Sequence, residues 1–355
     1  MASRKNKMID LESDTKSLPT AAMKQYMMDA PLGDEQYDED TTTLELCKRV
    51  STLLGKEAGI FLPSGTMCNE IAIGIHCQPG DEIICHRTAH IVEFEAAGLS
   101  AISGAMVRLL DGDDGMFTAD QVREAIRPKW RYAPNSRLLC IEQTANLGGG
   151  VVWPLNTLQE VTDVAREAGL ATHMDGARLF NAVVASGVPA AEYAGLVDSV
   201  WIDLTKGLGA PIGAVLCGSA DFIEKAWRLK QRFGGAMRQS GIVAAAGIYA
   251  LEHNIDRLAD DHRNAQLLAE GLATIPGVIM KSTNVHTNMV FIRVQDKDGK
   301  PAAAQFEKTL RDHGVKASAI DEETVRFVTC LNVNVEDIGT AILAVTKTMT
   351  SILGA

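Results

Sequence analysis

The middle of the chain alternates two kinds of hydrophobic pattern. Short apolar runs that end in polar or turn residues read as buried strands: "AGIFLP" (58–63), "DEIICH" (81–86), "SRLLCIEQ" (136–143), "LATHMD" (170–175) and "SVWIDL" (199–204). Between them lie helical periodicities. In "LNTLQEVTDVAREAGL", Leu158, Val161, Val164, Ala165 and Ala168 fall on one face, with Asn156 or Thr157 as the expected cap and Gly169 as the stop. Strands alternating with helices predict an α/β fold with a mainly parallel sheet covered on both faces. From about 225 to 265 the pattern is long and helical, broken at "FGGAMRQSG". Beyond it, helix "NAQLLAEGLATI", strand "TNMVFIRV", helix "AAAQFEKTLRDHG", strand "ETVRFVTC" and a last helix from about 334 predict a smaller α+β unit. The expected organisation is an N-terminal arm over 1–30, a large domain over 31–255 and a small C-terminal domain over 256–355.

A parallel sheet gathers its ligands beyond the carboxyl ends of its strands. The polar residues expected there are Ser64-Gly65-Thr66, His86 to His90, Glu142 to Asn146, Asp175 to Arg178, and Thr205-Lys206. "DLTKGLGAPIG" (203–213) first suggests a nucleotide loop. The dinucleotide fingerprint, however, needs glycine where Ile212 stands, and in a P-loop the lysine follows the glycines instead of preceding them. That leaves Lys206. A lysine at a buried strand end is costly unless paired or neutralised, and desolvation lowers its pKa, which makes it a candidate Schiff-base nucleophile. A surface lysine at a loop start is the bland alternative.

The neighbouring groups change the balance. In "LPSGTMCNEIAIGIH" a Ser-Gly-Thr turn opens a helix whose free N–H groups suit an anion, and Gly65 permits close approach; a plain N-cap by Ser64 or Thr66 is the alternative. In "HMDGARLFNA" Asp175 ends a buried strand and needs a cationic partner, either a pyridinium nitrogen or Arg178. Arg178 is alternatively a bidentate clamp for a substrate carboxylate. An aldehyde-accepting lysine, a phosphate cup and an aspartate for a ring nitrogen together describe a site for pyridoxal phosphate, with the His90 imidazole as a candidate to stack on the ring. A metal site from Cys85, His86 and His90 lacks a fourth ligand, so no metal is expected.

Composition narrows the partners. The formal net charge of −11 argues against nucleic acid and anionic membranes. No apolar run is long enough for a membrane span, and "MASRKNKMIDLES" is not a signal peptide. The seven cysteines form no C-x-x-C pair and read as reduced thiols of a cytoplasmic protein.

From about Met8 to Thr329 the chain resembles the L-threonine aldolase group of fold type I pyridoxal-phosphate enzymes, the β-eliminating lyase family. The resemblance rests on "SDT", "GDEQYDEDTTTLELCKRV", "FLPSGTMCN", "HCQPGDEI", "AHIVEFEAAG", "DGARLFNA", "TKGLGAPIGAVL", "GGAMRQSG" and "VRFVT", in family order. It implies an aspartate-aminotransferase-like large domain with a seven-stranded sheet, a small C-terminal domain, and a homotetramer built as a dimer of dimers. It also implies Lys206 as the Schiff-base residue, phosphate held by Gly65, Thr66 and Arg238 (the last from a neighbouring subunit), Asp175 on the pyridine nitrogen and His90 on the ring. Arg178 would lie near the cofactor hydroxyl and the substrate carboxylate, which Ser13 and Arg326 would also bind. The implied reaction is retro-aldol cleavage of a β-hydroxy-α-amino acid, phenylserine- or threonine-like, to glycine and an aldehyde. His90 or an ordered water would serve as base. Another pyridoxal-phosphate lyase or racemase, or a non-catalytic binding protein, are the alternatives. Two departures stand out. Ala145 occupies the place of a family histidine and is expected to open a pocket for a larger β-substituent. Glu12 stands where the family usually has arginine.

Overall fold

The computed structural model describes residues 8–282 and 284–354. The chain divides into two compact units. One spans Pro19–Ile255; the other joins the residues up to Leu18 to Asp256–Ala355. Of the stretch expected to form an arm over 1–30, residues 1–7 lie outside the described residues, 8–18 belong to the smaller unit and 19–30 to the larger. The Ile9–Asp10 strand pairs in parallel with Val315–Lys316 of the smaller unit.

The larger unit is built on a seven-stranded sheet: β1 (Ala58–Leu62), β2 (Glu82–His86), β3 (Met106–Leu110), β4 (Ser136–Glu142), β5 (Ala171–Gly176), β6 (Ser199–Asp203) and β7 (Ala214–Gly218). The spatial order is β1-β7-β6-β5-β4-β2-β3. All neighbours are parallel except β7, which runs antiparallel to both β6 and β1. The five apolar runs read from the sequence are all strands. β3 and β7 lay outside them, each for a physical reason. β3 is an edge strand with exposed and half-buried positions, so it lacks a continuous apolar run. β7, "AVLCG", is fully buried but follows the glycine-rich loop without a turn signal of its own.

The helix opened by Gly65 runs to His76 (α1), and Ser64 caps it by accepting from Met67 N–H at 3.2 Å. α2 (Leu155–Glu167) buries Leu158, Val161, Thr162, Val164 and Ala165. Its N-cap is Pro154, with no side-chain cap; Asn156 and Thr157 lie inside the first turn, because a proline of fixed φ already sets the entry. Ala168 is exposed rather than on the apolar face, and Gly169, at φ 78°, ends the helix as expected. α3 (Leu179–Ser186) follows β5 directly, and α4 (Gly241–His253) follows the "FGGAMRQSG" break.

The smaller unit contains a four-stranded antiparallel sheet. In it β8 (Val278–Met280), β9 (Met289–Val294), β10 (Ser318–Ala319) and β11 (Thr324–Val328) take the order β10-β11-β9-β8. Helices α5 (Leu258–Leu272), α6 (Ala303–Asp312) and α7 (Val335–Leu353) cover it through a core that includes Leu268, Phe306, Phe327 and Val345. No helix among the described residues is long and apolar enough to cross a membrane.

Candidate active site

The carboxyl ends of β1, β4, β5 and β6 converge on a part-open cleft of about 140 Å³. Its walls carry Gly65, Thr66, His90, Asp175, Arg178 and Lys206, together with Glu142, Asn146, Ala177, Trp201 and Asp203. Six residues singled out in the sequence therefore meet in one place, although they come from distant segments.

Lys206 begins a short 3-10 turn after β6, with φ at 51°. A left-handed backbone costs a residue with a Cβ about 1–2 kcal/mol, a strain that accumulates at functional positions. Asp203 organises the turn. Its Oδ1 accepts from Thr205 N–H at 2.9 Å and from the Thr205 hydroxyl at 2.6 Å, and its Oδ2 pairs with Lys206 Nζ at 2.9 Å. The ammonium is thus paired rather than isolated, which sequence reasoning missed although Asp203 stands three residues upstream. The Lys206 side chain is 14% exposed and its Nζ lies 5.7 Å from the Trp201 ring centre.

Gly65 has a steric reason as well as a conformational one. A Cβ there would fall inside the Trp201 indole, so glycine lets the start of α1 lie flat against β6. The cap uses Ser64 on Met67 N–H; the first N–H groups of a helix have no intrahelical acceptor, and Gly65 and Thr66, which carry them here, both line the cleft.

Asp175 is buried at the end of β5. Its Oδ1 accepts from Ala177 N–H at 3.0 Å and its Oδ2 from the Asn69 amide at 2.9 Å. Arg178, also buried, occupies the N-cap position of α3 and donates its backbone N–H to Gln143 O at 3.3 Å. His90 is placed by two carboxylates: its backbone N–H donates to Glu142 Oε2 at 3.1 Å, and its Nδ1 meets Glu95 Oε1 at 2.7 Å. Burial pulls the imidazole pKa down, but the Glu95 hydrogen bond and the charges of Asp175, Glu95 and Glu142 outweigh it, so His90 sits above the ordinary histidine value. Glu142 is pushed up to about 7, first by burial and then by the charge of Asp175. Glu142 was read only as part of a strand-end group; its role beside His90 has no signature in the sequence.

Other expectations resolve differently. Ala145 does not line this cleft. It is 3% exposed and borders a separate cavity of about 10 Å³ that shares Glu142 and Asn146 with the cleft. Its Cβ lies 2.7 Å from where a Gly115 Cβ would stand and 3.0 Å from that of Gly148. Gly115 and Gly148 thus pack close to the Ala145 Cβ, and the cavity beside it is small. Arg238 is exposed and pairs with Asp34 Oδ2 at 2.9 Å, outside the cleft lining. Ser13 and Arg326 belong to the smaller unit. Ser13 caps a 3-10 turn through Thr15, and Arg326 Nη2 donates to Glu12 O at 3.2 Å. Glu12 itself pairs with Lys16 and, at 3.0 Å, with Arg311. Cys85 is buried in the core, its thiol pushed up to about 12 by burial, while His86 bonds Thr88 and Gly112 O, so these two join His90 in no ligand cluster.

The residues fit pyridoxal phosphate. A flexible primary amine, a helix N-terminus stripped of its Cβ and a buried carboxylate share one cleft, which matches an aldehyde, a phosphate and a ring nitrogen. The fold and cleft define a fold type I pyridoxal-phosphate enzyme. The family model of the beta-eliminating lyases matches residues 10–295, and the chain belongs to that family. It is 42% identical over 332 residues to the low specificity L-threonine aldolase of Escherichia coli K12, covering 93% of this chain and 96% of that protein. It is 37% identical over 334 residues to the low-specificity L-threonine aldolase 1 of Arabidopsis thaliana, covering 93% of each. Among solved structures it resembles Leishmania major threonine aldolase (TM-score 0.82, 19% identity, 96% and 99% coverage). It also resembles the serine palmitoyltransferase of Sphingomonas wittichii (TM-score 0.75, 15% identity, 97% and 88% coverage).

Proposed function

We propose that the protein is a pyridoxal-phosphate-dependent aldolase that cleaves a threonine-like β-hydroxy-α-amino acid to glycine and an aldehyde. The observation that carries this reading is the shared cleft of Lys206, Asp175, His90 and the Gly65–Thr66 helix end. When bound, pyridoxal phosphate supplies an electron sink for the pair released as the Cα–Cβ bond breaks.

The chain's own groups do the rest. Lys206 holds the cofactor aldehyde, and Asp203 holds the ammonium in place before loading. The N–H groups of Gly65 and Thr66 take the phosphate. Asp175 keeps a proton on the ring nitrogen, and its hydrogen bonds from Ala177 and Asn69 fix its direction. The reaction also needs a group to take the proton of the β-hydroxyl. His90, with Nδ1 fixed by Glu95, has Nε2 left for that proton, and Glu142, raised to about 7, is a second proton holder on the same wall. Arg178 supports the substrate carboxylate, with Ser13 and Arg326 as further ligands for it.

Ala145 lies outside the cleft lining and so gives the aryl preference no support, whereas the named activities of the relatives support a small side chain. Arg238, exposed in the single chain, suits delivery to a neighbouring subunit's phosphate in a homotetramer. Seven unpaired cysteines support a cytoplasmic location. The substrate claim is tested by comparing kcat/KM for threonine and phenylserine. A higher value for threonine is expected; a strong preference for phenylserine would restore the enlarged-pocket idea.

A further inference from the structure

Asn69 lies one helical turn beyond Gly65 on α1 and is completely buried. Its amide uses every hydrogen-bonding position it has. Oδ1 accepts from Trp201 Nε1 at 2.7 Å and meets His173 Nε2 at 3.1 Å, while Nδ2 donates to Glu95 Oε1 at 2.7 Å and to Asp175 Oδ2 at 2.9 Å. An indole N–H only donates, so Trp201 fixes which end of the amide is oxygen. The order then propagates. His173 carries its proton on Nε2, so its Nδ1 accepts from Ser199 Oγ at 2.9 Å, and Ser199 Oγ in turn accepts from His76 Nε2 at 2.9 Å. Burial holds both imidazoles neutral, down to about 4 for His76 and about 3 for His173.

We infer that Asn69 is a positioning residue that holds the Asp175 and Glu95 carboxylates apart, and so sets the direction of both Asp175 and His90 with one amide. His90, Glu95 and Asp175 offer atoms within 4.8 Å of one another. Burial already raises Glu95, against which its hydrogen bonds from His90 and Asn69 act, so without a donor between the two carboxylates Glu95 takes up a proton. With Nδ2 donating to each, both remain acceptors, one for a ring nitrogen and one for the His90 imidazole. The role given to Asp175 rests on the cofactor reading; the hydrogen-bond network does not.

The groups facing the amide are Glu95 and Asp175 at its nitrogen and His173 and Trp201 at its oxygen. Glu70, whose buried carboxyl is raised to about 7 by burial and then by the charge of Glu95, lies next along α1. Glu142 and His90 lie beyond Asp175 and Glu95, and the Cys68 and Cys140 thiols are pushed well up by burial.

Asn69→Asp tests the inference. It keeps the shape and the acceptor for Trp201 and His173 but replaces the donor with an oxygen. The first readout is the titration of the histidine imidazoles in full-length apoprotein carrying ¹³Cε1-histidine. The His90 midpoint is expected to fall by about one pH unit, as the proton taken up to relieve the repulsion leaves Glu95 a neutral partner for the imidazole. The second is pyridoxal-phosphate affinity by fluorescence quenching, expected to fall about tenfold or more from loss of a hydrogen bond to a charged group. A His90 midpoint equal to wild type would overturn the inference. If Asn69→Asp does not fold, Trp201→Phe removes the N–H that orients the amide, together with the outer indole carbons that lie against Gly65. Several-fold weaker cofactor binding with a shifted His90 midpoint is then expected, and wild-type values for both would overturn the inference. Wild-type protein that takes up no pyridoxal phosphate would refute the cofactor reading separately, and the apoprotein titration would still decide the role of Asn69.

Discussion

At the scale of single residues, Lys206 combines chemistry with strain: an amine paired to Asp203 on a backbone at φ 51°. Lys206→Ala is expected to remove the visible absorption band of the loaded protein and to lower kcat by on the order of 10³-fold or more. A variant that kept the wild-type band would show that another group holds the cofactor. Lys206, Asp175 and Gly65 were legible in the sequence because each is an anomaly in its setting: a lysine and an aspartate at buried strand ends, and a glycine opening a helix. Glu95 and Asn69 were not, and Glu142 was legible only as a member of a strand-end group. A buried polar residue shows its role only through partners distant in sequence, and Asn69 meets Asp175 across 106 positions. Ala145 misled for a related reason. Loss of a side chain reads as space in a sequence, but Ala145 faces a small cavity beside Gly115 and not the cleft.

At the scale of elements, the junction of α1 with β6 places the phosphate end of the site. Gly65→Ala pushes a methyl into the Trp201 ring, with an expected loss of about 1–3 kcal/mol of stability from overpacking. The same change is expected to weaken cofactor uptake, because the helix end moves off the sheet; a cofactor titration beside a denaturation curve checks both. The buried imidazoles of α1 and β5 make stability depend on pH. His76 and His173 are neutral in the fold, with values lowered to about 4 and about 3, whereas the unfolded chain binds their protons near pH 6.5. Their contribution is therefore present above about 6.5 and is lost as the pH falls toward 4. Glu142 and Glu70, raised to about 7, act in the opposite sense: the fold retains their protons, and their contribution is lost as the pH rises from about 4.5 through 7. Comparing melting temperatures of wild type and His173→Gln between pH 4 and 7 isolates one imidazole. The gap is expected to narrow as the pH falls, and a constant gap would contradict the buried neutral state. The strands and helices that carry these groups were largely readable from period and composition. The edge strand β3 and the cap of α2 were not, because one is half exposed and the other is set by the fixed φ of Pro154.

At the scale of the whole molecule, the candidate residues separate into two sets. One lines the cleft of the larger unit; the other, Ser13 and Arg326, lies in the smaller unit together with the N-terminal strand. Arg238 belongs to neither set and is tested by complementation. If it serves a neighbouring subunit, co-expressing Lys206→Ala with Arg238→Ala chains is expected to restore roughly a quarter of the wild-type activity, because each mixed dimer contains one intact site. No restoration would place Arg238 outside the neighbour's site. The most direct measurement for the molecule is its product balance. Protein loaded with pyridoxal phosphate and given L-threonine is expected to release glycine and acetaldehyde in equal amounts, with no keto acid formed. Release of ammonia and a keto acid in place of glycine would contradict the aldolase assignment and point to elimination on the same fold.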